Sequence, residues 1–184
     1  MGYAGGKKSN PTYHDLGDHT ETLQIDFDPD MISYDELLEI FWSSHNPGRG
    51  SWSRQYMAAV FYHSEEQKKA MEASRAKVAA NIGVEVKTRV LPFTGFTLAE
   101  GYHQKHTLRC SQLIMQEFQS MYPTLEGFVA STAAARVNGY LAGHGNCDRL
   151  KEEIEGFGLS CEGLNRLLKN VCSRRAEMLP LRSM

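Results

Sequence analysis

The chain has 184 residues, of which 41% are hydrophobic and 23% charged, and its formal net charge at pH 7 is -2. This length suits one main domain with an appendage, and the nearly neutral charge provides no basic face for nucleic acid. No apolar run reaches the roughly 18–20 residues that cross a bilayer, and the N-terminus lacks a signal-peptide pattern, so we expect a cytoplasmic protein without a membrane partner.

The first two predicted elements are a strand and a helix. Leu23, Ile25 and Phe27 alternate with polar residues, which predicts a half-buried strand that ends at the Asp-Pro-Asp turn. Ser33 and Glu36 have the spacing of a capping box, and the apolar residues that follow lie on one helical face. A helix is therefore predicted to begin after Ser33.

The next segments alternate in the same way. The apolar run from residue 57 to 62 predicts a central strand, Ser64 and Gly83 bound a second helix, and the alternating valines from residue 84 to 90 predict a third strand. Thr97 with Glu100 predicts the cap of a short helix. The order predicts an α/β (α+β) fold with a mixed sheet and packed helices.

Beyond Arg109 the pattern is helical. Amphipathic segments around residues 113–121 and 161–172 predict a helical C-terminal extension, so we expect a first domain of residues 1–109 and an extension of residues 110–184. The glycine-rich stretch from residue 139 to 147 lies between them. Because glycine has the greatest backbone freedom, we expect this stretch to be the most flexible of the chain.

The four cysteines, Cys110, Cys147, Cys161 and Cys172, lack paired Cys-x-x-Cys spacing and are predicted to be thiols. Cys161 and Cys172 fall on an apolar helical face, which predicts that they are buried. Cys110 shares one predicted helix with two histidines, His103 and His106, but no fourth ligand is evident. A solvent-facing histidine pair is therefore favoured, and no metal or cofactor is expected.

Separated motifs occupy residues 2 to 109. In sequence order they read GYAGG, NPTY, HTE, FDPD, RQY, FYHSEEQ and AE-YHQK. Together they resemble the peptide methionine sulfoxide reductases of the A class, which reduce methionine S-sulfoxide in proteins and in free form. The resemblance implies three catalytic residues: Glu21 donates a proton to the departing oxygen, and the hydroxyls of Tyr13 and Tyr56 polarise it.

These residue types suit that chemistry. A sulfoxide oxygen is a poor leaving group until it is protonated, and phenol donors stabilise the charge that develops on it. Taken alone, Glu21 is more simply a solvated residue at a strand entry, and each tyrosine is more often a core or rim residue. Only their joint occurrence within the motifs favours catalysis. Tyr3, His19 and Trp52 are the candidate substrate-binding residues.

The resemblance also implies a cysteine nucleophile in a Gly-Cys-Phe-Trp segment upstream of GYAGG, where this chain has only Met1. We therefore expect the nucleophile to be missing and the 184 residues to be inactive by themselves. The strand and helix around that segment would be missing as well, leaving an exposed sheet edge along residues 23–27. Ser51 stands where many family members carry an acid.

Two functions remain open at this point. The chain is either a reductase domain of that family or a non-catalytic module that binds methionine sulfoxide or regulates an intact reductase. In the first case Cys147, in the glycine-rich stretch, is the candidate resolving thiol, although a plain surface thiol fits the sequence equally well. The resemblance implies thioredoxin or another thiol as the reductant and oxidised proteins or free methionine sulfoxide as substrates.

Overall fold

The computed structural model describes residues 1–173. Packing divides the chain into two compact units, of which the first is Met1–Glu100 and the second begins at Gly101. The elements of the first unit are β1 (Gly2–Ala4), β2 (Thr20–Thr22), α1 (Tyr34–Ser43), β3 (Ala59–Tyr62), α2 (Glu65–Ile82), β4 (Arg89–Pro92) and β5 (Phe96–Leu98). The predicted domains, 1–109 and 110–184, stay a prediction.

The strands of the first unit form two small sheets. β1 lies between β2 and β5 in an antiparallel sheet, and β3 pairs with β4 in a parallel one. Helices α1 and α2 bury Leu38, Trp42 and Met71 in a shared core with Val86. The predicted α/β class with both strand orientations is confirmed, with the two orientations divided between the two sheets.

The predicted strand along Leu23, Ile25 and Phe27 is wrong. Strand β2 ends at Thr22, and Leu23 and Ile25 are 67% and 55% exposed. An alternating pattern forms a strand only when a neighbouring strand is available to pair with it, and β1, the antiparallel partner of β2, begins at Gly2, which already faces Thr22. The third predicted strand also begins late, at Arg89.

The predicted ends of the two long helices are confirmed. Ser33 caps α1 with a complete capping box: its hydroxyl accepts from the Glu36 N–H at 3.2 Å, and the Glu36 carboxylate accepts from the Ser33 N–H at 2.8 Å. Ser64 caps α2 by accepting from the Gln67 N–H, and Gly83 ends this helix with a φ of 66°. Local sequence chemistry therefore determines both helices.

The predicted cap at Thr97 is wrong, because Thr97 pairs with Tyr3 within β5. The segment beyond it forms a 3₁₀ helix, Gly101–His103, and a short α-helix, α3 (His106–Arg109). Lys105 interrupts them with a φ of 49°. His106 is exposed, whereas His103 is half-buried on the other side of the interruption, so the two histidines do not form one solvent-facing pair.

The second unit is helical, as predicted for the C-terminal extension. Its further α-helices are α4 (Gln112–Met121), α5 (Leu125–Ala130), α6 (Thr132–Leu141), α7 (Cys147–Glu153) and α8 (Cys161–Cys172). They enclose one core whose centre includes the fully buried Ile114, Phe118 and Leu167. Within residues 1–173, no helix has both the length and the apolar character needed to cross a membrane.

The prediction of four thiols is wrong for two of the cysteines. Cys147 and Cys172 form a disulfide with a Cα–Cα distance of 4.9 Å, and Cys110 and Cys161 are thiols. Cys161 is exposed and Cys172 half-buried, so neither is the buried residue that we predicted. Cys161 is the first residue of α8 and lies outside the core, whereas Leu167, further along the same helix, is buried in it.

Candidate active site

The loop after β1 sets the position of β2. Gly5 has a φ of 78°, and a side chain there would meet the Phe61 ring at 2.8 Å, so only glycine fits. Arg54 holds the loop by donating to the carbonyls of Gly5 and Asp18 at 2.9 and 2.8 Å. The backbone N–H groups of Lys7 and Lys8 hydrogen-bond to the Asp18 carboxylate and lower its pKa.

Glu21 lies in the middle of β2, opposite Tyr3 of β1. Gln55 contacts it twice: the Gln55 carbonyl accepts from the Glu21 N–H at 3.0 Å, and the Gln55 side-chain amide donates to Glu21 Oε1 at 2.7 Å. The Glu21 side chain is half-buried. Its carboxyl group therefore has a fixed orientation and one oxygen engaged by Gln55.

The hydroxyls of Tyr13 and Tyr56 are hydrogen-bonded to each other beside Glu21. The pKa of Tyr56 is raised, first by its hydrogen bond with Tyr13, then by desolvation and by the neighbouring charges of Tyr13 and Glu21. Tyr56 is 45% exposed. The structure thus brings the three predicted catalytic side chains together, with the Tyr56 phenol held in its protonated form.

Glu100 supports this cluster, and the sequence did not reveal its role. One carboxylate oxygen accepts from the Tyr3 hydroxyl at 2.6 Å, and the other accepts from the Tyr13 backbone N–H at 3.1 Å. The cap spacing with Thr97 suggested a helix start instead. The AE-YHQK motif, which begins with Ala99 and Glu100, was the available signal that this glutamate belongs to the site.

Three residues were candidates for substrate binding. Tyr3 is 1% exposed, and its hydroxyl is the Glu100 donor described above. His19 is buried, with Nδ1 accepting from the Gly6 N–H at 3.3 Å and Nε2 donating to the Lys8 carbonyl at 2.8 Å. His19 therefore stabilises the loop after β1 from inside the protein, and Tyr3 holds Glu100 in place.

Trp52, the third candidate, lies at the surface. Its side chain is 84% exposed, and its ring lies 5.3 Å from the ring of Tyr56, measured between centroids. Ser51 precedes it and donates to the Ser53 carbonyl at 2.6 Å, so this hydroxyl stabilises the local turn. Trp52 therefore presents its side chain at the surface beside the Tyr56 ring.

A cleft of about 540 Å³ opens at this cluster, within the first unit. This volume lies inside the range of about 300–1,000 Å³ that is usual for small-molecule sites. Glu21 and Tyr56 are part of its wall, and apolar side chains supply much of the rest, with Leu23, Ile25 and Phe41 among them. The cleft therefore combines an apolar surface with a carboxyl group and a phenol, which suits a ligand that carries one polar oxygen.

The cysteines lie elsewhere in the chain. The first unit contains none, and all four belong to the second. Cys110 is an exposed thiol whose sulfur lies 4.0 Å from His106 Nδ1, and Cys147, the candidate resolving residue, is joined to Cys172. Among residues 1–173, no group of three or more histidine, cysteine or acidic side chains could hold a metal ion.

Comparison with known proteins identifies one family. The family model described as peptide methionine sulfoxide reductase matches residues 1–134, which include all of the first unit and the start of the second. The solved structure of Mxr1 from Saccharomyces cerevisiae in reduced form is similar with a TM-score of 0.56 and 26% sequence identity. The similarity covers 60% of this chain and 70% of that one.

Curated relatives have the same description. The peptide methionine sulfoxide reductase of Drosophila melanogaster is 39% identical over 162 residues, which are 87% of this chain and 65% of the relative. Peptide methionine sulfoxide reductase A5 of Arabidopsis thaliana is 36% identical over 147 residues, 77% of this chain and 57% of the relative. The chain therefore spans between 57% and 65% of the length of these two relatives.

Proposed function

The chain belongs to the peptide methionine sulfoxide reductase family, and from this premise we propose that its first unit binds methionine S-sulfoxide and promotes reduction of the sulfoxide to methionine. The observation that carries the proposal is the cluster of Glu21, Tyr13 and Tyr56 at the wall of an apolar cleft. The cleft accommodates the thioether methyl and methylene groups, and the cluster receives the oxygen.

Each residue has a defined part in the reaction. A thiolate attacks the sulfoxide sulfur and a transient S–S bond forms. The oxygen, once protonated, then moves to the thiol sulfur to give a sulfenic acid, as the S–S bond and the S–O bond of the substrate break and methionine is released. Glu21 supplies the proton that the departing oxygen needs. The paired hydroxyls of Tyr13 and Tyr56 supply a hydrogen bond to that oxygen as negative charge develops on it.

The attacking thiol has to come from outside Met1–Glu100, since this unit contains no cysteine. We assign Cys147 as the thiol that condenses with the sulfenic acid, releasing water and forming a mixed disulfide. Attack by the Cys172 thiolate on that disulfide would release the nucleophile and leave Cys147 bonded to Cys172, and the observed pairing supports this step. A thioredoxin-type dithiol then reduces the pair.

Oxidised proteins are the proposed partners, and the reaction as written uses no prosthetic group. The family match favours the reductase over the non-catalytic module. The two functions differ in the fate of the ligand: a reductase releases methionine, whereas a module returns the sulfoxide unchanged.

Calorimetric titration of the 184-residue chain tests the binding site apart from the thiol chemistry. The ligands are the S epimer, the R epimer and the unoxidised form of N-acetylmethionine amide. We expect the S epimer to bind most tightly, and Tyr56→Phe to weaken its binding by roughly 2–10-fold because one hydrogen bond to the oxygen is lost. Tyr62→Phe, at a neighbouring tyrosine outside the cleft wall, is the matched control. Equal binding of all three ligands would refute the proposed site.

A further inference from the structure

The second unit contains a cavity of its own. Its volume of about 650 Å³ lies inside the range of about 300–1,000 Å³ that is usual for small-molecule sites. Residues of α3, α4, α6 and α8 line it, so the packing of helices within this unit forms the cavity. Arg166 and Asn170 in its wall lie beyond residue 134, where the family match ends. The reaction proposed for the first unit makes no use of this space.

The charge of the wall favours an anion. Among residues 1–173, Arg166 is the one charged side chain of the wall, and no carboxylate of these residues pairs with its guanidinium. The N-terminus of α4 also contributes to the wall, through Gln112 and Leu113, and no side chain caps this helix. A guanidinium and the N–H groups of a helix N-terminus both stabilise a bound carboxylate.

The polar groups of the wall favour a ligand that also carries amides. Gln112, Gln116 and Asn170 contribute side-chain amides from α4 and α8, and each amide offers both donors and an acceptor. Such groups match the N–H and C=O of a peptide bond. A small molecule with carboxylates and peptide bonds therefore fits this wall better than an apolar or a cationic one.

Cys110 adds a reactive group to the same wall. Its thiol is exposed, and its sulfur lies 4.0 Å from His106 Nδ1, a nitrogen that is able to accept the thiol proton. The thiolate so formed is the species that attacks a disulfide. Cys161 is the other exposed thiol of the chain, but it lies outside the wall. The cavity thus combines a nucleophile, a proton acceptor and a cation.

We propose that this cavity binds a small anionic disulfide of the glutathione class and that Cys110 forms a mixed disulfide with it. The Cys110 proton passes to His106, and the thiolate attacks one sulfur of the ligand. A bond from Cys110 to that sulfur forms as the S–S bond of the ligand breaks, and the other half leaves as a thiolate that takes up the proton. The ligand is itself the oxidant. No sulfoxide takes part, so the inference is independent of the proposed function.

Reaction of the 184-residue chain with glutathione disulfide at neutral pH tests the site. Samples are quenched with acid, and peptide mass spectrometry measures the rate of glutathionyl addition at Cys110 and at Cys161 separately. We expect Cys110 to react about tenfold faster or more, because the bound ligand is held beside its thiol. Its rate should saturate as the disulfide concentration rises, whereas the rate at Cys161 should rise linearly. Equal rates at the two thiols, or a linear dependence at Cys110, would overturn the proposal.

Arg166→Gln separates recognition of charge from simple exposure of the thiol. It should slow the reaction of Cys110 with glutathione disulfide about tenfold, and it should leave the reaction with the uncharged disulfide of mercaptoethanol unchanged. Lys169→Gln removes an exposed cation of the same helix that lies outside the wall, so this control should change neither rate. Equal slowing with both disulfides would show that Arg166 supports the fold and not the ligand, and would overturn the proposal.

His106→Gln tests the proton acceptor. Because His106 acts on the thiol and not on the ligand, its loss should slow the reaction of Cys110 with both disulfides by a similar factor. The rate at Cys161 in the same sample is the internal control and should stay the same. An unchanged rate at Cys110 would refute the part assigned to His106 in the reaction.

Discussion

At the scale of single residues, Glu21 is the side chain on which the proposed chemistry depends most. Gln55 fixes its orientation by donating to Oε1 at 2.7 Å, and Tyr56 lies beside it in the cleft wall. A carboxyl group placed in this way is able to transfer a proton to an oxygen that enters the cleft. An amide in its place would keep the shape of the side chain without the transferable proton.

We therefore expect Glu21→Gln to slow sulfoxide reduction by roughly 10²–10⁴-fold, the usual contribution of a positioned acid. The measurement is the single-turnover rate with methionine S-sulfoxide, in a protein that carries a Gly-Cys-Phe-Trp segment before Met1. Glu72→Gln, an exposed residue of α2, is the control. An unchanged rate constant across neutral pH would return Glu21 to the role of a solvated strand residue.

Tyr34 gives a prediction about stability. Burial, assisted by the charge of Asp35, raises its pKa from 10.0 to about 12. The folded state thus favours the protonated phenol, and the resulting stabilisation is complete below pH 10 and is lost as the pH rises from 10 to about 12. Thermal melts should show this loss in the unsubstituted protein and much less of it in Tyr34→Phe.

Tyr34→Phe also removes a buried hydroxyl that has no hydrogen-bond partner among residues 1–173, so we expect the free energy of unfolding at pH 7 to rise by about 1 kcal/mol. Tyr62→Phe is the control for the loss of a tyrosine. A lower stability of Tyr34→Phe at pH 7 would mean that the hydroxyl has a partner in solution.

The catalytic candidates were predictable from sequence, whereas their supports were not. Glu21, Tyr13 and Tyr56 lie in motifs that a single chain displays directly. Gln55 hydrogen-bonds to Glu21, 34 positions away, and Glu100 hydrogen-bonds to Tyr13, 87 positions away. No local sequence pattern indicates either pairing. Such pairings depend on the tertiary fold, which residue spacing does not contain.

At the scale of elements, helices were predicted better than strands, for a physical reason. The caps of α1 and α2 use hydrogen bonds between residues three positions apart, so the sequence contains all the information. The residues from Leu23 to Phe27 have the alternation of a strand, but pairing requires a neighbour from elsewhere in the chain.

Helices α7 and α8 hold the proposed recycling pair, and this yields a kinetic prediction. In the protein extended before Met1, Cys147→Ser should retain one stoichiometric turnover, since attack on the sulfoxide needs only the nucleophile. It should lose repeated turnover with thioredoxin, because the thiol proposed to condense with the sulfenic acid has been removed.

Stopped-flow and steady-state assays measure the two phases separately. Cys161→Ser, which removes an exposed thiol, is the control and should change neither phase. Normal thioredoxin-driven cycling in Cys147→Ser, combined with its loss in Cys110→Ser, would move the recycling role to Cys110.

At the scale of the whole molecule, thiol chemistry is confined to one unit. All four cysteines lie after Gly101, and the disulfide joins residues 25 positions apart in the second unit. Closing a loop of this size contributes about 3.5 kcal/mol to stability in the chain-entropy account. Reduction should therefore destabilise the second unit and leave the first unit unaffected.

Hydrogen exchange with and without dithiothreitol measures this difference for each unit. Amides of α7 and α8 should exchange faster after reduction, and amides of α1 and α2 should keep their rates. A variant with Cys110→Ser and Cys161→Ser retains the disulfide and should respond in the same way. An equal increase in both units would show that the two units unfold together.

Pro92 has a further consequence for how copies of this chain associate. The proline deprives the outer edge of β4 of a donor, and within residues 1–173 the other edge of this two-stranded sheet, that of β3, has no partner strand. A second copy that docked there through its own β3 would pair the open β3 edges of both molecules with each other. Association through this sheet would then stop at a pair, whereas a fibril needs every added chain to present a fresh edge.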